Sequence, residues 1–97
     1  MIQSFHDDAT SDIFNGTNTK AARRALPQEL WRVAARKLER LDSVRLLAEL
    51  PIPPANQLEP LRHDREGQHS IRINDQYRIC FRWTDWGPES VEIVDYH

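Results

Sequence analysis

Ninety-seven residues give one domain with a single modest core, and 39% apolar content with three tryptophans excludes a disordered chain. A formal charge of −2 excludes a globally basic nucleic-acid binder, so any polyanion site has to be a local cluster. One cysteine excludes an internal disulfide. The absence of a leader-like or membrane-spanning apolar run points to a cytoplasmic protein without membrane contact.

Charge is unevenly placed along the chain. Residues 1–19 carry three acids and no Lys or Arg, residues 20–45 carry eight basic against three acidic residues, and residues 46–97 carry five against nine. Residues 1–5 alternate weakly and suggest an edge strand. Asp7, Asp8 and Thr10 precede Ile13 and Phe14 as in a short helix with acids in its first turn, and Asn15-Gly16 stops it. Residues 17–24 are polar, basic and aperiodic, which predicts an exposed, mobile loop. Pro27 then suits a first helical position, and Leu30, Val33, Ala34, Leu38 and Leu41 form a helical stripe. Arg32, Arg36 and Arg40 lie mostly off it, on a face that is either simply solvated or docks an acidic partner or RNA. Asp42-Ser43 is positioned to cap a continuation through Val44, Leu46, Leu47 and Leu50, and the prolines at 51, 53 and 54 end the helices.

The stretch 67–83 has the clearest pattern. Ile71 and Ile73 alternate with Ser70, Arg72 and Asn74, and Tyr77, Ile79, Phe81 and Trp83 alternate with Arg78, Cys80 and Arg82. Asn74-Asp75 predicts a two-residue turn between the two runs. The product is a hairpin with one apolar face and one open face bearing Arg72, Arg78 and Arg82, with Cys80 as a small buried or half-buried side chain. A last strand is expected at 91–94. The element order predicts an α+β domain: an N-terminal strand and two or three helices packed on one face of a small, mainly antiparallel sheet.

An arginine-bearing sheet face handles phosphate or carboxylate. If the last strand pairs beside 77–83, the C-terminal Asp95-Tyr96-His97 ends near Arg78, with Arg62 and Arg65 upstream. Cleaving RNA through its own 2′-hydroxyl needs a base, a positive clamp on the phosphate and an acid for the leaving 5′-oxygen. Asp95 or His97 can serve as base or acid, Arg78 as clamp, and Tyr96 as stacking platform or proton donor. The competing reading is structural, with a solvated C-terminus and arginines paired to neighbouring carboxylates. The four histidines show no metal-ligand spacing and the three glycines build no phosphate-cradling loop, so no metal or cofactor is expected.

Two segments, 58–67 (LEPLRHDREG) and 70–79 (SIRINDQYRI), together with the terminal Asp95-Tyr96-His97, resemble the HigB-type toxins of bacterial toxin–antitoxin pairs. These belong to the wider RelE/ParE toxin superfamily. Phe5, residues 15–20 and residues 37–42 fit the same pattern, so the resemblance covers essentially the whole chain. It implies a RelE-like fold and an endonuclease that cuts mRNA in the ribosomal A site. It also implies contact with ribosomal RNA, neutralisation by a HigA-like helix-turn-helix antitoxin, and operator DNA met only through the antitoxin complex. By position, Arg62 matches a phosphate-contacting residue, Arg78 a transition-state stabiliser, and Asp95, Tyr96 and His97 the C-terminal catalytic cluster. Arg65, Arg72 and Arg82 join Arg62 as substrate-binding candidates. Glu59 stands where some members have a histidine; a carboxylate can act as a base but cannot stabilise phosphate charge as an imidazolium can. Two rivals compete: a non-catalytic toxin of the same fold acting on a protein such as gyrase, and a toxin retained only as co-repressor with its antitoxin.

Overall fold

Local capping explains where the first two helices begin. In the computed structural model, which describes residues 1–96, Asp7 accepts a 2.7 Å hydrogen bond from the Thr10 N–H and starts α1 (Asp8–Asn15). Gly16 ends the helix at φ 73°, a left-handed position that glycine takes without strain.

The loop expected at 17–24 is instead largely helix: α2 spans Lys20–Ala25. Thr19 caps it, accepting from the Ala22 N–H at 3.1 Å while donating to Asp12 Oδ2 at 2.7 Å. Six residues are too few to display a 3.6-residue period. The cap and the buried Ala22 stabilise the helix where no apolar stripe announces it.

A 3₁₀ turn at Gln28–Leu30 follows Pro27 and leads into α3 (Trp31–Ser43), which buries Ala34, Leu38 and Leu41 as the stripe predicts. The expected continuation through residue 50 is only a single 3₁₀ turn at Leu47–Glu49. Asp42 does not cap it. Its Oδ1 accepts from the Ile2 N–H at 2.7 Å, fastening the N-terminal segment to α3. Glu49 supplies the cap, accepting from the Arg45 and Leu46 N–H groups at 2.8 and 3.1 Å.

The sheet is antiparallel in the order β1 (Glu59–Pro60), β2 (His69–Arg72), β3 (Tyr77–Thr84), β4 (Gly87–Asp95). The hairpin turn is one residue longer than the predicted pair. Ile73 N–H bonds to Tyr77 O at 2.9 Å, leaving Asn74, Asp75 and Gln76 in the loop. Asn74 Oδ1 accepts from Gln76 and Tyr77 N–H groups at 2.9 and 2.8 Å, so the side chain takes over the work of a tighter backbone turn.

A bulge between Cys80 and Arg82 re-registers β4, where Ser90 has φ 52°. The predicted N-terminal strand is reduced to one parallel bridge, Phe5 beside Val91. Hydrogen bonds from Gln3 N–H to Pro88 O and His6 N–H to Val91 O still hold the segment along the outer edge of β4.

The predicted α+β class is correct. Ile71, Ile73, Ile79, Phe81, Val91 and Ile93 form the sheet's core face, packed with Ile13, Ala22, Leu26, Ala34, Leu38 and Leu41 from the helical segment. Each large side chain fully buried here contributes roughly 1.5–3 kcal/mol. Among the described residues, no helix is long and apolar enough to cross a membrane.

Candidate functional site: the polar face of the sheet

Because side chains alternate across a strand, the residues between the core positions share the opposite face. Strand register makes one cross-sheet row of Glu59, Ser70, Cys80 and Glu92, and a second row of Arg72, Arg78 and Val94. These rows define the candidate site.

Arg78 is its centre, and it is not on a solvated surface. Only 9% of the residue is exposed. Its Nε donates to Ser70 Oγ at 2.7 Å, and Nη2 donates to Gln57 O at 2.6 Å and to Ser70 O at 3.4 Å. Gln57 presents that carbonyl from a left-handed conformation, φ 45°, which is uncommon for a residue with a Cβ. All three acceptors are neutral. The carboxylate of the exposed Glu59 lies 4.0 Å from Nη2, at the limit of an ion pair. The guanidinium is therefore oriented by neutral groups and keeps its charge available to an anion.

The other predicted residues are distributed around this centre. Arg65 donates from Nη1 to Gln68 Oε1 at 3.2 Å and to Glu92 Oε1 at 3.1 Å. Burial works against its charge, but the hydrogen bond and charge of Glu92, aided by Asp64, hold its pKa above the ordinary arginine value. Arg65 is thus committed to an internal partner. Arg72 is paired with Asp75 in the hairpin loop. Arg62 is exposed where the 3₁₀ turn His63–Arg65 begins. Exposed Arg82 lies over Gly67, where a Cβ would come within 2.7 Å of its Nη1.

Asp95 and Tyr96 leave the last strand on opposite parities. Asp95 pairs with Tyr77, on the parity of Ile79 and Ile93, and so belongs to the core-side face. Its carboxylate accepts from Gln76 Nε2 at 3.2 and 3.1 Å. Tyr96 follows on the parity of Arg78, beyond Val94 and opposite Gln76, half-exposed and held by its N–H to Gln76 O at 2.6 Å. His97 lies outside the described residues.

Four residues to which sequence reasoning gave no role in the site line or border this face. Ser70 orients Arg78. Glu92 joins Arg65 to His6, whose Nε2 is 3.7 Å from Glu92 Oε2. Cys80 lies buried between the arginines, and desolvation, reinforced by Glu92 and opposed by Arg65 and Arg78, pushes its thiol pKa up. Among the described residues, no group of three His, Cys, Asp or Glu side chains could hold a metal ion.

A family model described as the RelE-like toxin HigB of type II toxin–antitoxin systems matches residues 3–97. Toxin HigB-1 of Vibrio cholerae is 42% identical over 62 residues, which cover 64% of this chain and 65% of that protein. The match thus spans just under two thirds of the relative's length. A protein of Haemophilus influenzae, described only as uncharacterized, is 32% identical over 81 residues, 84% of this chain and 77% of its own.

Proposed function

Because the chain belongs to the HigB-like family, the RelE-like toxins of type II toxin–antitoxin systems, we propose that it cleaves mRNA in the A site of the translating ribosome. Its partners are then mRNA and ribosomal RNA in the cytoplasm, and a HigA-like helix-turn-helix antitoxin through which it reaches operator DNA.

In the proposed step, a base takes the proton of an RNA 2′-hydroxyl and that oxygen bonds to the adjacent phosphorus. The bond from phosphorus to the 5′-oxygen breaks, and an acid returns a proton to the leaving oxygen. The products are a 2′,3′-cyclic phosphate and a 5′-hydroxyl. Arg78 takes the charge that accumulates on the phosphate oxygens. Glu59, exposed beside it, is the base candidate within reach of an RNA seated on Arg78. Tyr96, on the parity of Arg78, supplies a stacking surface or a proton, His97 is the other acid–base candidate, and Asp95, on the opposite parity, holds Gln76 beside Tyr96. Arg62 and Arg82 contact neighbouring phosphates. Arg65 and Arg72, already paired with Glu92 and Asp75, contribute less unless RNA displaces those partners.

One observation carries this reading: a nearly buried guanidinium held by neutral acceptors rather than by a close carboxylate. Its counter-ion is free to be a phosphate.

The test is a reconstituted translation reaction in which mRNA 5′ ends are mapped. Wild-type protein should give codon-phased cuts. Arg78→Lys keeps the charge but loses the planar fork, and should slow cutting by roughly 10²-fold without loss of fold. Gyrase inhibition or translation arrest without cuts overturns the nuclease reading in favour of a non-catalytic toxin. Antitoxin binding with neither effect favours the co-repressor.

A further inference from the structure

We propose that the groove between α3 and the turn at Pro54–Asn56 receives an acidic, apolar-tipped segment of a protein partner, for which the family supplies the antitoxin. The proposal rests on the family reading that such a partner exists, and on none of the cleavage chemistry.

The groove is a cavity of about 320 Å³ lined by Val33, Arg36, Lys37, Arg40, Pro53 and Asn56. Positions 33, 36, 37 and 40 share a helix face, and the like charges of Arg36 and Arg40, four residues apart, disfavour the helix that carries them. Among the described residues, none of Arg36, Lys37 and Arg40 forms an ion pair. Lys37 donates instead to the neutral Asn56 Oδ1 at 2.7 Å. Burial first, and then the charges of Arg72 and Arg36, pull the Lys37 pKa down. The wall is fixed, because the buried Asn56 also donates from Nδ2 to Leu50 O at 3.0 Å.

Cations alone would suit RNA equally well, but the groove is not only cationic. Val33 and Pro53 give it an apolar lining, and Ile52 next to Pro53 is 67% exposed. A phosphate backbone would satisfy the charges and leave that surface wet. A segment carrying carboxylates and one or two aliphatic side chains satisfies both, and the volume suits side chains rather than a whole helix. α3 packs on the core face of the sheet, while Asn56 in the groove's other wall precedes the Gln57 carbonyl that holds Arg78, so the groove borders the proposed RNA face without including Arg78.

The probe is the fluorescein-labelled peptide Glu-Leu-Glu-Glu-Leu-Leu-Glu-Glu, followed by fluorescence anisotropy. The expected result is saturable binding to wild-type protein. The exposed pair Arg36→Glu/Arg40→Glu should weaken it by about tenfold or more, whereas Arg36→Lys/Arg40→Lys keeps it, with thermal melts confirming the fold of both. Absence of binding overturns the proposal, as does a charge reversal without effect. Displacement of the peptide by unlabelled oligouridine also overturns it, and makes the groove an RNA site. No ribosome enters this assay, so loss of the nuclease reading leaves it standing, and its own failure leaves that reading untouched.

Discussion

Arg78 and Ser70 are joined by a 2.7 Å hydrogen bond from Nε to Oγ that is almost closed to solvent, between adjacent strands of the sheet. The alternation of the hairpin puts Arg78 on an open face, where a solvated arginine adds little to stability. Burial reverses that expectation. Arg78→Ala strands Ser70 Oγ and Gln57 O and removes the packing of the aliphatic stem, for a loss of about 1–3 kcal/mol. Ser70→Ala should cost about as much, because it leaves a buried charged donor short of an acceptor. Urea unfolding of both variants is the check, and a wild-type midpoint for Arg78→Ala would show that these bonds contribute nothing net.

How far the residues themselves disclosed this arrangement depends on how local each feature is. The core face of the hairpin and the buried stripe of α3 were readable because alternation and a 3.6-residue period run through Ile71, Ile79 and Phe81 and through Ala34, Leu38 and Leu41. α2 was not, since one cap and one buried alanine make no pattern. The environment of Arg78 was invisible because its acceptor, Gln57 O, comes from 21 residues away in an irregular turn. The parity of Asp95 was legible, because Val91 and Ile93 already place 95 on the core-side face of the strand.

Glu92 links Arg65 and His6 across the end of the polar face, with its side chain 20% exposed and that of Arg65 28%. Such a pair falls between the surface and buried limits. A double-mutant cycle of Glu92→Gln with Arg65→Met should return a coupling of about 1 kcal/mol. Zero coupling would mean that Arg65 is free for phosphate.

Asn56 ties Lys37 to Leu50 O and leads into the turn whose next carbonyl, that of Gln57, holds Arg78. Asn56→Ala leaves Leu50 O without this donor and should cost about 1–3 kcal/mol. If the turn relaxes, Arg78 loses its aim, and the proposed cleavage falls further than stability predicts. Cleavage measured well below the melting temperature separates the two effects.

The Glu49 carboxylate, which accepts from two backbone N–H groups, has a pKa below the ordinary glutamate value for that reason first, with the charges of Arg40 and Arg45 adding to the effect. A depressed folded-state pKa gives stability that is present above the unfolded value of roughly 4.3 and is lost as pH falls through the folded value. Wild type should therefore exceed Glu49→Gln in stability at neutral pH and converge with it in acid. A difference that persists undiminished at low pH would place the effect elsewhere.

Cys80 provides the opposite sign at the alkaline end. Burial raises its thiol pKa, so the folded chain keeps a proton that the unfolded chain gives up above roughly pH 8.5. Its contribution is full below that value and falls as pH rises through the folded pKa. Lys37 acts against this trend, because its lowered pKa means that folding becomes more favourable as the solution turns alkaline and the ammonium is lost. The raw stability profile mixes both groups, and the difference between wild type and Cys80→Ala isolates the thiol. That difference should be flat near neutrality and shrink above roughly pH 8.5. The fully buried sulfur should also react with iodoacetamide only when the sheet opens, so labelling should accelerate with urea in step with unfolding. Rapid labelling of the native protein would show instead that the polar face opens around Cys80 without global unfolding.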